Sequence, residues 1–116
     1  MGNKKLARQH ASRQRVAVKP VRSPYRTWSN LQELYRLQHG RCGITGNMLP
    51  VPPCPMAWDD FEDVDVDHIL PLSCGGTNEL DNLQLTTPSL NYWKGSRTDL
   101  PCRHDFLWAE QDCLGM

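Results

Sequence analysis

Between residues 64 and 85 apolar and polar side chains alternate in two short runs. Val64 and Val66 are interleaved with Asp65 and Asp67, and further on Leu83 and Leu85 flank Gln84. A period of two is the pattern of a strand with one buried face, so the spacing predicts two short strands. Pro71 ends the first strand, and residues 73–81, with Gly75-Gly76 and several turn formers, read as a surface loop. Thr87-Pro88 is a helix start, with the threonine as N-cap and the proline at the first helical position. That helix is expected to run through Asn91 and Trp93 and to stop near Gly95. The order strand, loop, strand, helix is therefore legible from patterning alone.

Upstream the period changes. Leu31, Leu34, Tyr35 and Gln38 recur at helical spacing behind Ser29 or Asn30 as a cap, with Gly40 as a left-handed stop. Leu31, Leu34, Tyr35 and Leu37 are core candidates. Residues 42–47 have the glycines of a tight turn or hairpin. The prolines at 50, 52, 53 and 55 then exclude an interior strand or helix. Residues 58–63 are acidic with aromatic punctuation and are expected to cover part of the core. In the tail, residues 105–111 are expected to form a closing helix with Phe106 and Leu107 packed down. The fold class expected is α+β.

A chain of 116 residues has room for one domain. Its formal net charge of zero conceals an asymmetry. Residues 1–27 carry Lys4, Lys5, Arg8, Arg13, Arg15, Lys19, Arg22 and Arg26 and no acid, whereas residues 28–116 hold all 13 acids. This divides the chain into a flexible basic arm, 1–27, and a folded body, 28–116. An arm of that kind on an acidic body points to an anionic polymer as partner and a cation at the acidic site. No apolar run reaches the roughly 20 residues of a membrane span, and the N-terminus lacks the apolar stretch of a signal peptide. Five cysteines without a secretory signal suggest reduced thiols and a cytoplasmic location.

The chemistry gathers around the predicted strands and second helix. Asp67 and His68 stand together at the end of the first strand, and Asn82, Asn91 and Lys94 follow within about 30 residues, the size of one supersecondary unit. Cutting a phosphodiester requires an activated water, neutralisation of charge at the phosphate and help for the leaving oxygen. A neutral imidazole suits the first task. A hard divalent cation held by one or two protein oxygens suits the other two. Asn91 can add an amide oxygen beside Asp67, and Lys94, three residues on along the same helical face, can reach a phosphate. Asn82, at the start of the second strand, can hold the loop that carries His68. Each of these residues alone has an ordinary reading as a turn former, a solvated helix position or a surface pair. Their joint occurrence in one compact unit is what points to a site.

The run Asp67-His68-Ile69-Leu70-Pro71, then Gly75-Gly76, Asn82-Leu83 and Asn91-Tyr92-Trp93-Lys94-Gly95, resembles the core of the HNH endonucleases. The resemblance covers roughly residues 28–97, including a lead-in helix and hairpin. It implies a small ββα-metal fold preceded by an N-terminal helix. It further implies that Asp67 and Asn91 bind a divalent metal, Mg²⁺ or Mn²⁺, that His68 activates water and that Asn82 positions the histidine and its loop. Many members also hold a structural zinc with two Cys-x-x-Cys pairs. Here the first pair is reduced to Cys42 with Thr45, and Thr87 and Leu90 stand at the second, so no structural zinc is expected.

The function implied is metal-dependent hydrolysis of DNA, with a 5′-phosphate left behind, by a nuclease of phage or mobile-element type in a bacterial or phage-infected cell. One such site cuts one strand, so a monomer would nick and a homodimer could break both strands. Phosphate contacts are expected from Lys94, Arg97 and the eight arm residues named above. The competing reading is a non-catalytic nucleic-acid-binding module on the same scaffold, which would bind in a salt-dependent way and turn nothing over.

Overall fold

The computed structural model describes residues 24–108. Its first element is helix α1, Trp28–Leu37, followed after a turn and a proline-rich loop by a 3-10 helix at Trp58–Phe61. Strand β1, Asp65–His68, and strand β2, Leu83–Thr86, make one antiparallel sheet. Helix α2, Pro88–Lys94, follows directly. Two further 3-10 turns, Leu72–Cys74 and Leu80–Asn82, shape the long β1–β2 connection, and a last one, Arg103–Asp105, closes the described chain. The fold is a small α+β unit of two helices on a two-stranded sheet.

Register explains the division of labour between the two sheet faces. Asp65 stands opposite Thr86 and Asp67 opposite Gln84, while Val66 faces Leu85 and His68 faces Leu83. Directly opposed residues share a face, so one face is polar and the other apolar except for His68 at its end. Val66, Leu83 and Leu85 on the apolar face join Leu31 and Leu34 of α1, Ile44, Leu49, Phe61 and Val64 in one core. Phe61, Leu31, Leu34, Leu83 and Leu85 have no exposed surface. The expected helical spacing thus finds its partner: Leu31 and Leu34 bury against β2, with Trp28 and Tyr35 packed at the margin.

Three local expectations change. The N-cap of α1 is Thr27, whose hydroxyl accepts the Asn30 amide at 3.1 Å, and neither Ser29 nor Asn30 fills that place. A cap at Thr27 starts the helix two or three residues earlier and so includes Trp28, which packs against the core. The polar face of the sheet is not solvated, since Gln84 and Thr86 are wholly buried and Asp67 is 4 % exposed. Helix α2 and residues around Arg103 cover it, the arginine amide donating to Gln84 Oε1 at 2.8 Å. Finally, Asp105 ends a 3-10 turn and does not begin a helix; Phe106 and Trp108 stack at 4.4 Å beyond it. Residues 109–111 of the expected closing helix lie outside the described residues.

The junction between arm and body also has a definite geometry. Tyr25 packs against the core, and the Arg26 guanidinium donates to the Val64 and Phe61 carbonyls, both at 3.0 Å. Arg26, read from the sequence as the last charge of a DNA-contacting arm, is thus a strut that ties residues 25–26 to the strand entry. Burial lowers its pKa from the usual arginine value, and the Asp65 charge works in the opposite direction. Lys4, Lys5, Arg8, Arg13, Arg15, Lys19 and Arg22 lie outside the described residues.

Candidate active site

Two elements build the site, the end of β1 and the side of α2 that faces it. Thr87 caps α2 as its sequence suggests, its hydroxyl accepting the Leu90 amide at 3.3 Å with Pro88 next in line. Gly95 ends the helix with φ at +55°. Seven residues is under two turns, enough to set Asn91 and Lys94 one turn apart on the side that faces β1.

Asn91 donates its amide to Asp65 Oδ2 at 3.0 Å. Lys94 reaches deeper. Its ammonium lies 3.2 Å from Asp67 Oδ1 and donates to the His68 carbonyl at 3.0 Å, with only 3 % of the residue exposed. The other oxygen of Asp67 accepts the Gln84 amide at 2.9 Å. A buried carboxylate thus has a full positive charge on one oxygen and a neutral donor on the other, the pairing that makes burial of a charge tolerable. The phosphate contact expected of Lys94 is not its geometry here, because the amine is committed beneath the strand end.

His68 leaves the strand on the opposite side from Asp67, as alternation requires. Its ring meets Tyr25 edge-on at 4.6 Å, and Nε2 lies 2.8 Å from Asn78 Oδ1. Asn82 does not touch the ring. It clasps the loop instead: Oδ1 accepts the Leu70 amide at 2.8 Å, and Nδ2 donates to the Leu70 carbonyl at 3.0 Å and the Thr77 carbonyl at 2.8 Å. Its own carbonyl accepts the Ile69 amide at 2.8 Å. The residues following His68 are thereby tied to the start of β2.

The surface over these groups is a shallow depression. One part is lined by Tyr25, Asp67, His68, Pro71, Asn91 and Gly95. The adjoining part is lined by Asp65, Pro88, Asn91, Tyr92 and Gly95. Asn91 and Gly95 belong to both, so the depression bearing Asp65 adjoins the one bearing Asp67 and His68 at Asn91. Arg97 lies just past α2 with its guanidinium 4.7 Å from the centre of the Trp93 ring.

The sequence-predicted residues Asp67, His68, Asn91 and Lys94 therefore come together, and Asn82 supports them from the loop. Asp65 was missed, although strand alternation places it on the Asp67 side of β1. Gln84 was missed because a polar residue between two leucines reads as solvent-facing. Nothing in the sequence marks Asn78 or Tyr25, which arrive from a loop and from the edge of the arm.

The Asp65 and Asp67 carboxylates and the Asn91 amide offer oxygen donors along the groove, the donor type a Mg²⁺-like ion that keeps several waters would take. Both oxygens of Asp67 are engaged here by Lys94 and Gln84, so the ion would have to share that carboxylate with them. Among the described residues no three His, Cys, Asp or Glu side chains converge as a metal group. Cys42 is buried, its sulfur 3.3 Å from the Thr86 hydroxyl.

No helix among the described residues is long and apolar enough to cross a membrane. No curated protein and no solved structure matches the chain. A family model described as HNH endonuclease matches residues 55–100. The match spans both strands, the connecting loop and α2, while α1 and the turn after it lie upstream. The segment that carries Asp67, His68, Asn82 and Asn91 is thus similar to the HNH endonucleases.

Proposed function

We propose that the protein is a metal-dependent endonuclease that hydrolyses DNA phosphodiester bonds, with His68 as general base and Asp67 and Asn91 as metal-binding residues. The observation that carries this reading is the convergence of His68, Asp67 and Asn91 on one open groove within the family-matched segment. A groove that shallow admits a polymer backbone passing across it, in contrast to the enclosed pockets that bury small molecules.

Each residue has a task that its surroundings support. His68 is held at the groove wall by Tyr25 on one side, half-exposed, where it can take a proton from water attacking a phosphorus. Asn91 lines both depressions and is hydrogen-bonded to the Asp65 carboxylate. A divalent cation bound there would supply charge neutralisation at the phosphate and at the departing oxygen. Lys94 is a positioning residue: by holding both the Asp67 carboxylate and the His68 carbonyl it sets the strand end that presents base and metal site together. Asn82 does the same for residues 69–77. Arg97, with Lys4, Lys5, Arg8, Arg13, Arg15, Lys19 and Arg22, supplies phosphate affinity without base reading.

Calorimetric titration with Mn²⁺ tests the metal assignment without reference to cleavage. Asn91→Ala and Asp67→Asn are each expected to weaken binding by about 10-fold or more, in line with losses on removing parts of a metal site. Titration curves identical to the parent's would remove those residues from the site.

A further inference from the structure

Asn78 lies in the β1–β2 connection, is itself exposed, and carries none of the functions assigned above. Its side-chain oxygen is 2.8 Å from His68 Nε2. An amide oxygen can only accept, so this contact requires the proton of a neutral imidazole to sit on Nε2. The remaining nitrogen, Nδ1, is then the lone pair available as a base. Resting on the reading of His68 as the base, we propose that Asn78 is the positioning residue that holds this imidazole with Nε2–H anchored in the loop and Nδ1 turned to the groove.

The loop is built to deliver that oxygen. Asn82 pins the loop at Leu70 and Thr77, one residue before Asn78. Gly76 passes so close that a Cβ there would lie 1.8 Å from the Leu70 carbonyl oxygen and 2.8 Å from Asn82 Nδ2. The Gly76 amide donates to the Pro71 carbonyl at 2.9 Å, and the Glu79 amide to the Thr77 hydroxyl at 3.2 Å. Asn78 is thus bracketed by fixed backbone on both sides. With Tyr25 edge-on at 4.6 Å, the imidazole is held at two points, which removes rotation about the ring's attachment. A base that must meet an attacking water within hydrogen-bond reach gains from such fixation, and a misplacement of about 1 Å costs on the order of 100-fold in rate.

The test uses the full chain with Asn78→Ala, which removes the acceptor, and Asn78→Asp, which keeps one. In metal-free protein at a pH where His68 is neutral, NMR is expected to show a protected His68 Hε2 proton in the parent and in Asn78→Asp, and to lose it in Asn78→Ala. In DNA cleavage, Asn78→Ala is expected to lower kcat by about 10- to 100-fold with KM unchanged, and Asn78→Asp to recover most of it. Retention of the Hε2 signal in Asn78→Ala, or a parental kcat in that variant, overturns the proposal. If the parent cuts no DNA, the nuclease reading fails, and the NMR comparison alone decides whether Asn78 holds the ring.

Discussion

Lys94 and Asp67 face each other with almost no water around them, 3.2 Å apart and with side-chain exposures of 4 % and 5 %. Such a pair adds little over apolar neighbours of the same shape, but removing one partner strands the other charge. Lys94→Met is therefore expected to lower unfolding free energy by about 3–5 kcal/mol. Combining it with Asp67→Asn is expected to recover part of that loss, measured by urea denaturation. An unchanged midpoint in the single variant would show that the pair is hydrated in solution. At this scale the sequence reveals which residue types meet, because Asp67, His68, Asn91 and Lys94 stand at motif spacing. It is silent on which of them is sealed inside. Burial of Lys94 depends on the polar sheet face being covered from two sides, by α2 and by Arg103, and no local pattern announces a second cover.

The β1–β2 connection carries as much of the site as the strands do. Gly75-Gly76 reads from sequence as a turn, and Gly75 does sit left-handed at φ +96° with open space about it. Gly76 is there for a different reason, the approach of the Leu70 carbonyl. Gly76→Ala is expected to cost about 1–3 kcal/mol of stability, because backbone must move to admit the methyl group. It should also depress cleavage by loosening the Asn82 clasp, with thermal melts and a cleavage assay on the same sample as the check. A variant that melts and cuts like the parent would contradict the tight packing described. Of the elements, both strands and α2 were legible, since alternation and a Thr-Pro cap are strong local signals. The cap of α1 was misplaced by two or three residues because Thr27, Ser29 and Asn30 are all good N-caps and only tertiary packing of Trp28 selects among them.

On the scale of the whole molecule, charge is divided between a basic segment before residue 24 and a body that carries every acid. Deleting residues 1–22 is expected to reduce DNA affinity most at low salt and to flatten the dependence of binding on salt, since phosphate contacts act through counterion release. Arg26 is spared in that deletion because its guanidinium holds Val64 and Phe61. Fluorescence anisotropy across a salt series makes the comparison, and equal slopes before and after would leave the segment without a part in binding. The central claim, that the groove between β1 and α2 cuts DNA with His68 as its base, is tested most directly by incubating the protein with supercoiled plasmid. Mg²⁺, Mn²⁺ and EDTA are compared, with His68→Ala alongside. The account predicts nicking that requires the metal and disappears in His68→Ala while that variant still binds DNA. Cleavage by His68→Ala at the parental rate, or a parent that binds DNA and never cuts it in either metal, would contradict it.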